Sequence, residues 1–196
     1  MELYITDINT IELSRCTELW GARAEKFERL KKEADKKRCL AGGLFINRFL
    51  PKAEILENEF GKPYADNGRQ FNLSHSGDYV IFALSEVAVG CDIEKTRAAN
   101  FERIGKTIFC SNENELLLSA ENKTKTFFDL WTKKESLLKC MGQGFHRSST
   151  SVDVSKDFFC ESSTKYYFKL WHFESYTISV CSTKNDFPSK IECVTL

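Results

Sequence analysis

The chain has 196 residues, with 28 basic and 28 acidic side chains and a formal charge of zero. That balance gives no overall basic field for nucleic acid, and no apolar run nears the ~20 residues of a membrane span. Hydrophobic residues at 42% and charged residues at 29% are the proportions of an ordinary globular chain with enough length for a real core. The start, MELYITDINTIEL, carries early acids and no basic region, so it does not read as a signal peptide. Eight cysteines are scattered without a C-x-x-C pair, as expected of reduced thiols in a cytoplasmic protein.

In chain order, residues 2–8 read as a strand. From Trp20 to about Leu50 the composition is helical, with Gly42-Gly43 as a weak point and Pro51 as the stop. Residues 58–70 read as a loop holding two turn signals, Gly61-Lys62-Pro63 and Asp66-Asn67-Gly68. FNLSHSGDYVIFALSEVAVGCDIE (71–94) reads as three short strands, the last two forming a hairpin at Ser85-Glu86. Phe101 to Met141 is helical again, broken around Cys110-Ser111-Asn112. Strands are expected at 166–173, 176–182 and 190–196.

Two halves resemble each other at an offset of 97 residues, where FNLSHSGDYVIFALS (71–85) aligns with FKLWHFESYTISVCS (168–182). The same offset lays Lys36-Lys37 on Lys133-Lys134 without a gap. A duplicated helix-plus-antiparallel-sheet unit predicts an α+β fold with a pseudo-twofold axis. The expected halves are residues 1–97 and 98–196, with the boundary near Thr96–Asn100 and a ligand site between them.

Four polar residues in 71–94 exceed what a structural sheet needs: Ser74, His75, Asp92 and Glu94. Strand alternation puts Val89, Cys91 and Ile93 on one face and Ala88, Gly90, Asp92 and Glu94 on the other. Two carboxylates so placed repel unless a cation lies between them, and a hard ion such as Mg2+ fits carboxylate oxygens. The small Ala88 and Gly90 would leave room for what such a metal holds. Two solvated acids at a strand end fit the same pattern.

The helix TFFDLWTKKESLLKCMG (126–142) supplies a third acid. On a helical wheel Glu135 lies within the apolar arc of Phe128, Trp131 and Leu138, with Lys139 at its edge and Asp129, Lys133 and Ser136 opposite. The alternative is an ordinary Glu135–Lys139 pair one turn apart. Together with Asp92 and Glu94, the arrangement suggests a three-acid metal site with a lysine beside it, suited to breaking a P–O bond in a diphosphate.

VGCDIEK (89–95) and WTKKESLLK (131–139) resemble the signature pair of the 4′-phosphopantetheinyl transferases. GKPY (61–64) and FNLSHS (71–76) are similar to the surfactin-synthetase-activating group in particular. Cys91 departs from the usual aliphatic residue. The resemblance implies Mg2+-dependent transfer of the phosphopantetheine arm of coenzyme A to a serine of an apo acyl or peptidyl carrier protein, releasing adenosine 3′,5′-bisphosphate. It implies that Asp92, Glu94 and Glu135 ligate Mg2+ and that Lys139 reaches a phosphate oxygen. The serine proton would pass to Glu135 or to a metal-bound water.

By the same resemblance, Arg23, Lys26, Arg38 and His75 receive the 3′-phosphate, with Lys62 and Ser74 nearby. Glu113 would assist proton removal or cap the helix after Ser111, and His172 reads as structural. The segment MGQGFHRSS (141–149) is expected to help dock the carrier through Phe145 and Arg147. Fatty-acid, polyketide and nonribosomal peptide carriers all qualify, and two halves in one chain imply a monomer. A silent module that only holds coenzyme A or a carrier is the competing reading. A different Mg2+-dependent nucleotide enzyme lacks its Gly-rich lysine loop or kinase motifs here.

Overall fold

A computed structural model describes residues 1–143 and 148–196, and all statements of structure concern these. The chain begins with β1 (Glu2–Asp7), two short 3-10 turns, α1 (Gly21–Arg29) and α2 (Glu33–Phe49). A small ribbon of β2 (Ile55–Glu57) and β3 (Pro63–Ala65) leads to the hairpin β4 (Gln70–Ser76) and β5 (Tyr79–Ser85). Then come β6 (Val89–Lys95), α3 (Phe101–Ile108), α4 (Ser111–Ser119) and α5 (Lys123–Met141). The chain ends with β7 (Phe158–Glu161), β8 (Thr164–Phe173), β9 (Tyr176–Ser182) and a two-residue β10 (Glu192–Cys193). This is the expected α+β class.

Two four-stranded sheets form, in the orders β10-β1-β5-β4 and β6-β9-β8-β7. Leu3, Ile5, Ile81 and Ala83 of the first pack with Cys91, Ile93, Ile178 and Val180 of the second. On its other face the first sheet packs Val80, Phe82 and Leu84 against the Leu40–Ile46 part of α2. α5 covers the second sheet. The central strands β5 and β9 are therefore covered on both sides, which explains their long buried runs.

β5 and β9 match at the 97-residue offset end to end, and β1 and β6 pair with them at equivalent places, through Tyr4↔Phe82 and Asp92↔Ser179. Each unit thus runs strand, helix, hairpin. β6 lies in the second sheet and β10 in the first, so a cut at residue 97/98 leaves neither sheet whole. Tyr4 occupies the place of Asp92 in the first unit and stacks on Phe49. The acid belongs to one unit alone.

Several expectations change. The long N-terminal helix breaks at Leu30–Lys32, not at the glycines, because α1 must turn to bring Phe27 into the α2 core. Gly42 and Gly43 instead admit neighbours: a side chain there would meet Arg23 Nη1 at 2.7 Å or Leu19 at 2.2 Å. Part of the expected 58–70 loop is β3. The turn after Ser85 makes no hairpin, since β6 leaves the first sheet to pair with β9. The final strand shrinks to two residues parallel to β1.

Candidate functional site

The site lies where the edge strands β4 and β6 meet beneath α5. No backbone ladder joins these strands, which belong to different sheets. Side chains of β4 fill the gap instead: Asn72 Oδ1 accepts from Cys91 N at 2.9 Å, Ser74 Oγ from Ile93 N at 3.4 Å and Ser76 Oγ from Lys95 N at 3.0 Å. The two-residue period of both strands sets this spacing. It holds β6 in a register that turns Asp92 and Glu94 toward α5.

α5 crosses β6 at very short range. A Cβ on Gly90 would stand 2.2 Å from the Ser136 carbonyl oxygen and 2.3 Å from Cys140 N. The small residue beside the acids therefore admits the helix, not a bound group. Asn122 caps the start of α5 and Gly142, at φ 70°, ends it. The helical-wheel division holds only in part. Lys133, Lys134 and Ser136 are buried, while Trp131, Glu135, Leu138 and Lys139 are half-buried along a cleft of about 440 Å³. The helix is enclosed on most sides, so its least buried arc marks the cleft and not bulk solvent.

At the cleft Lys139 Nζ donates to Asp92 Oδ1 at 2.5 Å and to Ser74 Oγ at 3.1 Å, while Ser74 Oγ donates to Asp92 Oδ1 at 2.9 Å. Asp92 is 4% exposed and its Oδ2 has no partner among the described residues. Glu94 accepts from Ser76 Oγ at 3.0 Å and from Trp131 Nε1 at 3.3 Å. Burial pushes the Asp92 carboxyl up, and Glu94 adds to it against the pull of Lys139. Burial and then Asp92 do the same to Glu135. Burial opposes the charge on Lys139, yet Asp92, with Cys91 and Glu135 behind it, outweighs burial and holds that ammonium above its ordinary range. Burial acts on all three groups, and the neighbouring charges act with or against it. The cluster has three acids, one ammonium and too little positive charge.

That shortage, the orphaned Asp92 oxygen and an all-carboxylate donor set fit a hard divalent cation. The three acids do not bring one oxygen each within 4.8 Å of one another; among the described residues Cys110, Glu113 and Asp153 do. That second group has no place for an ion. Glu113 accepts from Cys110 N at 2.9 Å and Val154 N at 2.8 Å, and pairs with Lys134 at 2.8 Å, both side chains fully buried. Lys134 also donates to the carbonyls of Ser149 and Val152. Glu113 caps α4 and staples it to α5, as one of its two expected roles required.

The expected phosphate ligands divide. His75 is exposed, and partial burial with the cations Arg38, Lys139 and Lys26 holds its pKa below the usual range. Arg38 donates twice to the Gly77 carbonyl and pairs with Asp35 at 2.7 Å. Arg23 and Lys26 line a second cleft, of about 230 Å³, which shares Pro63 with the first. Arg23 also donates to the Cys39 carbonyl, and burial lowers its pKa. Lys62 lines the main cleft, but its ammonium donates to the carbonyls of Val89 and Cys140. His172 bonds Asp129 at 2.7 Å on the surface. Of the expected docking segment 141–149, residues 144–147, including Phe145 and Arg147, lie outside the described residues. Sequence reasoning missed Asn72, Ser76 and the indole of Trp131. The alternation of Asn72, Ser74 and Ser76 in FNLSHS was the available signal.

A family profile described as the 4′-phosphopantetheinyl transferase superfamily matches residues 88–188, beginning at the threshold of β6. The chain is 35% identical to the 4′-phosphopantetheinyl transferase gsp of Aneurinibacillus migulanus, over 82% of this chain and 74% of that one. It is 31% identical to the 4′-phosphopantetheinyl transferase Sfp of Bacillus subtilis (strain 168), over 88% and 85%. A solved structure of Thermotoga maritima holo-[acyl-carrier-protein] synthase matches at 19% identity and a TM-score of 0.39, over 48% of this chain and 61% of that one, too low to carry a structural argument.

Proposed function

The chain belongs to the 4′-phosphopantetheinyl transferase superfamily, and from that premise we propose that it moves the phosphopantetheine arm of coenzyme A onto a serine hydroxyl of an apo carrier protein. The released product is adenosine 3′,5′-bisphosphate. The observation that carries this reading is the buried Asp92, with one oxygen on Lys139 and the other without a partner among the described residues, where Lys139 and Glu135 both line the main cleft.

Asp92, Glu94 and Glu135 would hold Mg2+. When bound, that ion supplies positive charge to the diphosphate whose P–O bond breaks. Lys139, already held charged, meets the growing negative charge on the leaving phosphate. Among the described residues no donor bonds the Glu135 carboxylate, so Glu135 is the acid free to take the serine proton. The cations Arg38 and Lys26 near His75 suit the 3′-phosphate, and the cleft lined by Arg23, Lys26 and Pro63 suits the adenosine end. Ser74 acts through Asp92 and Lys139. Carrier proteins of fatty-acid, polyketide or peptide synthesis are the proposed partners of a cytoplasmic monomer. No helix among the described residues is long and apolar enough to cross a membrane.

The test incubates the pure protein with coenzyme A, Mg2+ and several unrelated apo carrier domains, and weighs each carrier. One carrier should gain a single phosphopantetheine, and Asp92→Asn should lose transfer while keeping the wild-type melt. Coenzyme A binding without any mass gain would favour the silent module.

A further inference from the structure

Glu94 is held on both sides. From β4, Ser76 Oγ donates to Oε2 at 3.0 Å; from α5, Trp131 Nε1 donates to Oε1 at 3.3 Å. A hydroxyl has one proton and two lone pairs. At Ser76 a lone pair already takes the Lys95 N–H at 3.0 Å, which leaves the proton for the carboxylate. The same arrangement occurs two residues earlier, where Ser74 accepts from Ile93 N and donates to Asp92. Each serine thus satisfies an edge-strand N–H of β6 and orients the acid one position before it.

Trp131 completes the grip from the opposite element. Its indole can only donate, and it stands one helical turn before Glu135 on the cleft wall. An ungripped Glu94 would sample several rotamers, and selecting one would cost conformational entropy on binding an ion.

We propose that Ser76 and Trp131 are positioning residues for the metal site, fixing the Glu94 carboxylate between β4 and α5. The inference rests on the reading of Asp92, Glu94 and Glu135 as metal ligands. The hydrogen bonds leave lone pairs on both Glu94 oxygens, so the grip orients the carboxylate without blocking it.

Mn2+ binding in the presence of coenzyme A, followed by electron paramagnetic resonance, tests this without reference to turnover. Ser76→Ala and Trp131→Phe should each weaken Mn2+ about tenfold or more, with thermal melts verifying the fold. Ser76→Thr, which keeps the hydroxyl, should retain binding. In the double variant Ser76→Ala/Glu94→Gln, the serine substitution should add nothing to the loss from Glu94→Gln. Full additivity would mean that Ser76 only braces the Lys95 N–H, and would overturn the proposal. So would wild-type Mn2+ affinity in Ser76→Ala, a variant that keeps the test decisive if Trp131→Phe fails to fold. Undiminished binding in Glu94→Gln would instead remove Glu94 as a ligand and overturn the premise with the proposal.

Discussion

Gly90→Ala should disable the enzyme through one methyl group. The new Cβ would lie 2.2 Å from the Ser136 carbonyl oxygen, 2.3 Å from Cys140 N and 2.9 Å from Cys140 Cα. All three are backbone atoms, so no side chain can rotate away. Relief requires α5 to lift from β6 by about 1 Å, in an interior packed as densely as a crystal. That lift stretches the 2.5 Å Lys139–Asp92 contact, the 2.9 Å Ser136–Ser179 bond and the Lys62 brace to Cys140. Overpacking of this kind costs about 1–3 kcal/mol, which corresponds to roughly 2–12 °C in melting temperature for a chain of this size. Moving Glu135 and Lys139 relative to Asp92 by about 1 Å should slow transfer on the order of a hundredfold. Thermal melts and initial rates of carrier mass gain measure the two effects separately. A variant with wild-type melt and rate would refute the close crossing of α5 on Gly90.

Three further outcomes follow from other contacts. Glu113→Ala leaves the fully buried Lys134 without its carboxylate and should cost about 3–5 kcal/mol in chemical denaturation; a loss under 1 kcal/mol would show that the staple carries little. Lys62→Met leaves the carbonyls of Val89 and Cys140 unpaired and should lower the melting temperature of ligand-free protein; an unchanged melt with weaker coenzyme A binding would restore Lys62 as a ligand contact alone. Burial, Arg38, Lys139 and Lys26 hold His75 below its ordinary value near 6.5. The stability linked to it is therefore present above the unfolded value and fades as pH falls through the folded one. Coenzyme A placing a phosphate beside His75 should raise its pKa in an NMR titration, and a pKa unmoved by saturating coenzyme A would remove His75 from the phosphate site.

Alternation along the strands made the sequence a good guide. Asp92 and Glu94 do share a face, Cys91 and Ile93 do enter the core, and the 97-residue offset does carry the bounds of β5 onto those of β9. It failed where an element is enclosed on several sides. A helical wheel has one inside and one outside, so it turns Lys133 and Ser136 toward water although both are buried. Helix-forming residues at 20–50 likewise conceal the break at Leu30–Lys32, because composition measures propensity and not direction.

The suspicious acids, the lysine one turn beyond Glu135, the duplicated hairpin and the family resemblance are all properties of local pattern, and one sequence suffices to find them. Which strand neighbours which is a matter of distance in space. Only the tertiary structure carries β6 out of the first sheet, sets β4 against it through Asn72, Ser74 and Ser76, and lays α5 across Gly90. That arrangement makes Lys62 a brace, leaves one Asp92 oxygen without a partner among the described residues, and gives Glu94 two donors from elements 18 and 37 residues away. The reason is physical. Hydrogen bonds and steric contact act over a few ångströms, and the fold alone decides which distant residues come that close.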